Sequence, residues 1–231
     1  MLLHGGWTDS RIWNPVLRLL PPEARTIRYD ARGYGRSARP SAPFAALDDL
    51  KAVLDHIGVP PAILVGHSGG GATALCLALD DPRRVSQLVL LAPGVSDYPW
   101  PVDDPYFADF EARYCAGDRG GLVRLGLQTW APADRTVETR TLVRDATEAL
   151  FAIGDMQRAD PPSFDRLGEI DVLSTLIVGD REHHSVLGCA TAVAERLPRC
   201  RHTVVPGVDH MVPLRLPELI VDVVCGRTPT C

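Results

Sequence analysis

Ile63-Leu64-Val65-Gly66-His67-Ser68-Gly69-Gly70-Gly71-Ala72-Thr73-Ala74-Leu75 is the stretch on which the fold turns. Its apolar start reads as a short buried strand and its end as a helix. The turn between them, Gly66-His67-Ser68-Gly69-Gly70, fits Gly-x-Ser-x-Gly. That pattern puts a serine on a strained strand-to-helix bend with its hydroxyl exposed. Flanking glycines leave room where a Cβ would crowd the bend. The first N–H groups of the helix then point at the serine and can bind a developing oxyanion. A plain Gly/Ser loop is the bland alternative for such a short motif. A phosphate-binding loop is a weaker one, because no Lys-Ser or Lys-Thr pair follows the glycines.

Working outward, strands alternate with helices. Met1–Leu3, Thr26–Asp30, Val85–Leu91, Leu176–Val178 and Arg201–Val205 are strand candidates. Helices are expected over 14–20, 44–57, 185–197 and 216–224. The strands are apolar throughout rather than alternating, as in a parallel sheet covered by helices on both faces. Sites in such sheets lie beyond the carboxyl ends of the strands. His4-Gly5-Gly6, Asp30–Ser37 and the Ser68 turn all fall at such ends. Residues 95–171 break the rhythm. Helices are expected there over 108–115, 121–130 and 137–151, with no evident strand. This segment reads as a helical cap (lid) inserted into a core formed by 1–94 and 172–231.

The 231 residues suffice for one domain with a large core. A formal net charge of -5 argues against a nucleic-acid or polybasic membrane binder. No apolar run is long enough for a membrane span, and no signal peptide is evident. The 6 cysteines form no Cys-x-x-Cys pair, so zinc and redox motifs are absent. A reduced, cytoplasmic protein is the expectation. His183 and His184 sit beside acids, but neighbours on one loop do not by themselves converge on an ion. No metal and no cofactor are therefore expected.

Five motifs stand in order at strand ends: His4–Trp7, Tyr29–Ser37, Gly66–Gly70, Val178–Glu182 and Val208–Pro213. With them, from Met1 to about Val224, the chain resembles the α/β-hydrolases, whose triad runs Ser, acid, His. The resemblance implies an α/β-hydrolase fold with a mostly parallel sheet of about six strands and a cap. Related chains carry two further strands ahead of the His-Gly-Gly strand, so the strand near Ile27 should be an exposed edge.

It also implies roles. Ser68 would be the nucleophile, which needs a base to take its proton. His210 would be that base, imidazole titrating near a pKa of about 6.5. Glu182 would fix the imidazole, with Asp180 as the alternative acid and Asp97 a third. The Gly6 and Gly69 N–H groups would form the oxyanion hole, with Trp7 as the alternative to Gly6; one such donor is worth about 3 kcal/mol. The implied activity is cofactor-free hydrolysis of a small carboxylic ester or lactone. Alternatives are perhydrolase or haloperoxidase-like chemistry, C–C bond hydrolysis, or a silent member of the fold. Substrate and oligomeric state are not readable from the sequence.

Overall fold

A computed structural model describes residues 1–58 and 60–227; Cys231 lies outside the described residues. In chain order the elements are β1 (Leu2–Leu3), α1 (Asn14–Leu19), β2 (Phe44–Ala45), α2 (Ala46–Ile57), β3 (Ala62–His67), α3 (Gly69–Asp80) and β4 (Val85–Leu91). Then come α4 (Pro105–Cys115), α5 (Arg119–Trp130), α6 (Val137–Ile153), β5 (Gln157–Arg158), β6 (Ser174–Gly179), α7 (His184–Arg196), β7 (Cys200–Val205), α8 (Val212–Arg215) and α9 (Pro217–Val224).

The main sheet has five strands in the order β1-β3-β4-β6-β7, every neighbouring pair parallel. The expected strand at Thr26–Asp30 contributes a single bridge, Leu2 to Arg28, outside β1. Leu2 N–H donates to the Ile27 carbonyl at 2.9 Å, and Arg28 is exposed. Outward from β1 and back to β3, the chain reverses direction across the sheet. That reversal is the topological switch point, where crevices open beyond the strand ends. The His4 turn and the Ser68 turn sit on either side of it.

Burial explains the apolar strands. All six residues of β6 are buried, and Leu88 to Leu91 of β4 are fully so. Each such Leu, Ile or Val contributes about 1.5–3 kcal/mol when taken from water. β7 is the opposite edge, and its middle residues Arg201, His202 and Thr203 are exposed. A charged edge discourages further strand pairing. Helix α3 is buried nearly all round because it lies against β1, β3 and β4 on one side and α2 on the other. Helices α1 and α9 pack together, apart from that group.

Helix α2 starts at Ala46 rather than Phe44. Ala45 offers no capping side chain, and Asp160 Oδ1 accepts the Leu47 N–H instead at 2.9 Å. Phe44 and Ala45 stay extended and pair with Gln157 and Arg158, a short polar strand inside the stretch expected to hold none. The other expected helices shift by a few residues at most. In 95–171, side-chain caps at Asp104, Asp118 and Thr136 start α4, α5 and α6. Leu127, Trp130, Leu142 and Val143 join the main apolar core, so this segment packs on the sheet unit. Among the described residues no helix is long and apolar enough to cross a membrane.

Candidate active site

Ser68 links β3 to α3 with φ 52° and ψ -120°, a left-handed backbone that costs of order 1–3 kcal/mol for a residue with a Cβ. Neighbouring glycines make the bend possible. A Cβ on Gly66 would stand 2.6 Å from the Gly70 carbonyl oxygen. One on Gly5 would stand 2.6 Å from Ser68 Cβ and 3.1 Å from His67 Nδ1, so the turn after β1 rests directly on the serine. Ser68 N–H donates to the Leu91 carbonyl, and Ser68 O accepts from Gly71 and Gly94, which holds the bend from both flanks.

Gly69 opens α3, where N–H groups lack intrahelical acceptors. Its Cβ position is 3.9 Å from Gly6 N, so the two expected oxyanion donors lie close together. The Trp7 side chain turns toward residues 95–171, edge-on to Phe110 and against Gly126. A cavity of about 120 Å³ opens beside this pair, lined among others by Gly6, Gly69, Tyr34, Phe44 and Thr73.

His210 Nδ1 is 2.6 Å from Glu182 Oε2, both side chains almost wholly buried. Glu182 Oε1 accepts the His183 N–H at 2.8 Å, so each carboxylate oxygen is satisfied. His210 Nε2 has no hydrogen-bond partner among the described residues, Ser68 Oγ included. Such bonds are often long before substrate binds. Asp180 is exposed and accepts the Gly207 N–H at 2.6 Å, tying the ends of β6 and β7. Asp97 is exposed too, at φ 66°. Of the three candidate acids, only Glu182 is bonded to His210.

Two supports went unassigned in the sequence. His67 Nε2–H donates to the His210 carbonyl at 2.8 Å, bringing the serine turn and the histidine loop together. Burial above all pushes the His67 pKa well below the imidazole range, so the ring is neutral. Asp209, fully buried, accepts from Met211 N–H, from Ala133 N–H and from the Arg215 guanidinium. Trp130 packs its ring 4.7 Å from that of His210. The glycine-rich loop at 32–37 is structural. Asp30 accepts from Ser10 and Arg36 N–H, and Ala31 N–H donates to His4 Nε2, which steadies the turn after β1.

A doubly wound α/β unit with a serine elbow, and with an acid–histidine pair supplied by later strand ends, defines a hydrolase-like class. The comparisons agree: residues 1–223 match the model of the alpha/beta hydrolase family, and the chain belongs to that family. It is 40% identical over 96 residues to RutD of Caulobacter sp. (strain K31), a protein named for carbamate hydrolysis; the match covers 39% of this chain and 36% of that one. Identity to the lipase LipV of Mycobacterium tuberculosis is 41% over 98 residues, covering 42% and 37%. These matches thus span little more than a third of each relative's length. Among solved structures, the esterase EaEST from Exiguobacterium antarcticum superposes with a TM-score of 0.78 at 21% identity, covering 97% of this chain and 89% of that one. Est816, titled as an N-acyl homoserine lactone degrading enzyme, gives 0.73 at 24%, covering 98% and 92%. At such identities the likeness shows the fold.

Proposed function

We propose that the protein is a cofactor-free serine hydrolase that cleaves small ester-like substrates through an acyl-enzyme on Ser68. The observation that carries this reading is the buried Glu182–His210 bond, tied through His67 to the turn that bears the serine. Ser68 Oγ attacks the carbonyl carbon while His210 Nε2 takes its proton. Glu182 holds the Nδ1–H tautomer and stabilises the imidazolium. The Gly69 and Gly6 N–H groups receive the oxyanion, with Trp7 N–H as the alternative second donor. The imidazolium protonates the leaving alcohol, and water activated by His210 then releases the acid.

The small cavity beside Gly6 and Gly69 suits a short acyl group, since pockets for larger ligands run to about 300–1,000 Å³. Residues 95–171 act as a lid, a role supported by Trp130 lying against His210. The named activities of RutD and LipV, a carbamate hydrolase and a lipase, favour this reaction class. The described cysteines are unpaired, which supports a reducing, cytoplasmic location.

The test is covalent labelling. A fluorophosphonate should modify Ser68 in the native protein and not in Ser68→Ala, and the native protein should hydrolyse p-nitrophenyl acetate or butyrate. Folded protein that neither labels nor turns over would leave the catalytically silent alternative standing.

A further inference from the structure

We infer that Asp104, His183 and His184 form a binding site for one divalent transition ion of the zinc class, an assignment that goes beyond the hydrolase reading. The two histidines are sequence neighbours at the start of α7, and the fold brings a third donor from elsewhere. Asp104 caps α4 at the beginning of the inserted helices, 79 positions before His183 in the chain. His183 Nδ1 is 3.7 Å and His184 Nε2 3.5 Å from the same oxygen, Asp104 Oδ2, and all three donors lie within 4.8 Å of one another.

These separations are too long for strong hydrogen bonds and suit an ion between the groups. A tetrahedral ion with bonds of about 2.0–2.1 Å holds its ligands roughly 3.4 Å apart. Two edges of the triangle are close to that value, and the third closes by rotation of His184, whose side chain is 70% exposed. The carboxylate is 1% exposed and fixed from behind: Oδ1 accepts the Tyr106 N–H at 3.0 Å, and Oδ2 accepts the Ser185 hydroxyl. Such supporting bonds orient a ligand for a metal. Two imidazole nitrogens with one carboxylate favour zinc, cobalt or nickel over calcium and magnesium, which prefer oxygen donors. Solvent on the His184 side supplies the fourth ligand.

An ion there ties the start of the inserted helices to the core. It also sits one residue from Glu182, whose carboxylate accepts the His183 N–H. Its effect is therefore to stiffen the loop that carries the acid and to anchor the cap.

The experiment uses the full chain without a histidine tag, stripped with chelator and titrated with Zn²⁺ and with Co²⁺. We expect a one-to-one isotherm, a melting temperature several degrees higher with saturating Zn²⁺, and the strong visible bands of four-coordinate Co²⁺. His184→Ala, a change at an exposed side chain, should weaken binding by about a hundredfold or more. Asp104→Asn should do the same. A native protein with no melting shift and no cobalt bands overturns the assignment, as does His184→Ala binding like the native chain, which would point to surface thiols such as Cys115. None of these readouts depends on ester turnover, so this inference and the hydrolase reading fail independently.

Discussion

His67 donates a hydrogen bond from its ring to the backbone carbonyl of His210 at 2.8 Å, across 143 positions of chain. The residue before the proposed nucleophile thereby sets the height of the proposed base. Replacing it tests that link. His67→Leu removes one donor and leaves the His210 carbonyl with the Val212 N–H, a loss of about 0.5–1.5 kcal/mol. We expect kcat to fall about tenfold with KM changed by less than about twofold, since the damage is to positioning and not to substrate binding. His67→Gln, which can still donate, should recover part of the rate. Steady-state kinetics on esters of the three proteins decides it; equal kcat values would deny His67 any positioning role.

The acid assignment gives a second comparison. Glu182→Gln can present an amide N–H toward His210 and so invert the tautomer. A comparable change in a related triad geometry costs about 10⁴ in kcat. Asp180→Asn alters only an exposed contact with the Gly207 N–H, so its kcat/KM should stay within about threefold of native. If both variants lose the same modest amount, neither residue orients His210 and the acid must come from elsewhere.

Buried neutral histidines make folding stability depend on pH. His4 and His67 both have pKa values held below the ordinary 6.5, first by burial. In the unfolded chain each regains a value near 6.5. As pH falls through that value the unfolded state takes up protons that the folded state does not. Stability is therefore full above about pH 6.5 and lost below it, at up to about 1.4 kcal/mol per pH unit for each group. His202, less buried, is shifted in the same direction and adds to the slope. Melting temperatures from pH 8 to 5 should be level at first and then drop, and His67→Gln should drop less steeply. A native melting temperature that stays level down to pH 5 would falsify the buried neutral state of these rings.

The sequence carried the alternation of strands and helices, because fully buried parallel strands read as unbroken Val, Leu and Ile runs. It also carried the elbow, since Gly66 and Gly70 mark where backbone must approach backbone. Local signals placed the helix starts after Asp104 and Asp118 less well, and α2 began two residues late because its cap, Asp160, comes from more than a hundred positions away. The two-residue strand at Gln157 was illegible for the same reason: nothing local distinguishes polar residues that pair only through a tertiary contact. Glu182 and His210 were recognisable by their order after strand ends. His67, Asp209 and Asp104 were not, because each gains its partner only when distant loops meet at the top of the sheet.

The cavity beside the proposed oxyanion donors sets an expectation for substrate length. At about 120 Å³ it has room for a short acyl chain, and its wall includes Phe44, which is buried and belongs to a small cluster with Tyr34, Ala146, Ala149 and Ile153. Each methylene that finds room is worth about 0.8 kcal/mol, roughly fourfold in kcat/KM; one that finds none gains nothing or clashes. The native protein should therefore favour acetyl and butyryl esters over hexanoyl and octanoyl. Phe44→Ala lengthens the cavity at a cost of about 3 kcal/mol in stability. Its kcat/KM should move toward the longer chains, even if overall rates fall with the loosened cluster. A chain-length series with p-nitrophenyl esters, run beside melting curves, separates the two effects. If Phe44→Ala lowers every ester by the same factor, the acyl group lies elsewhere, on the side of Trp130 and the inserted helices.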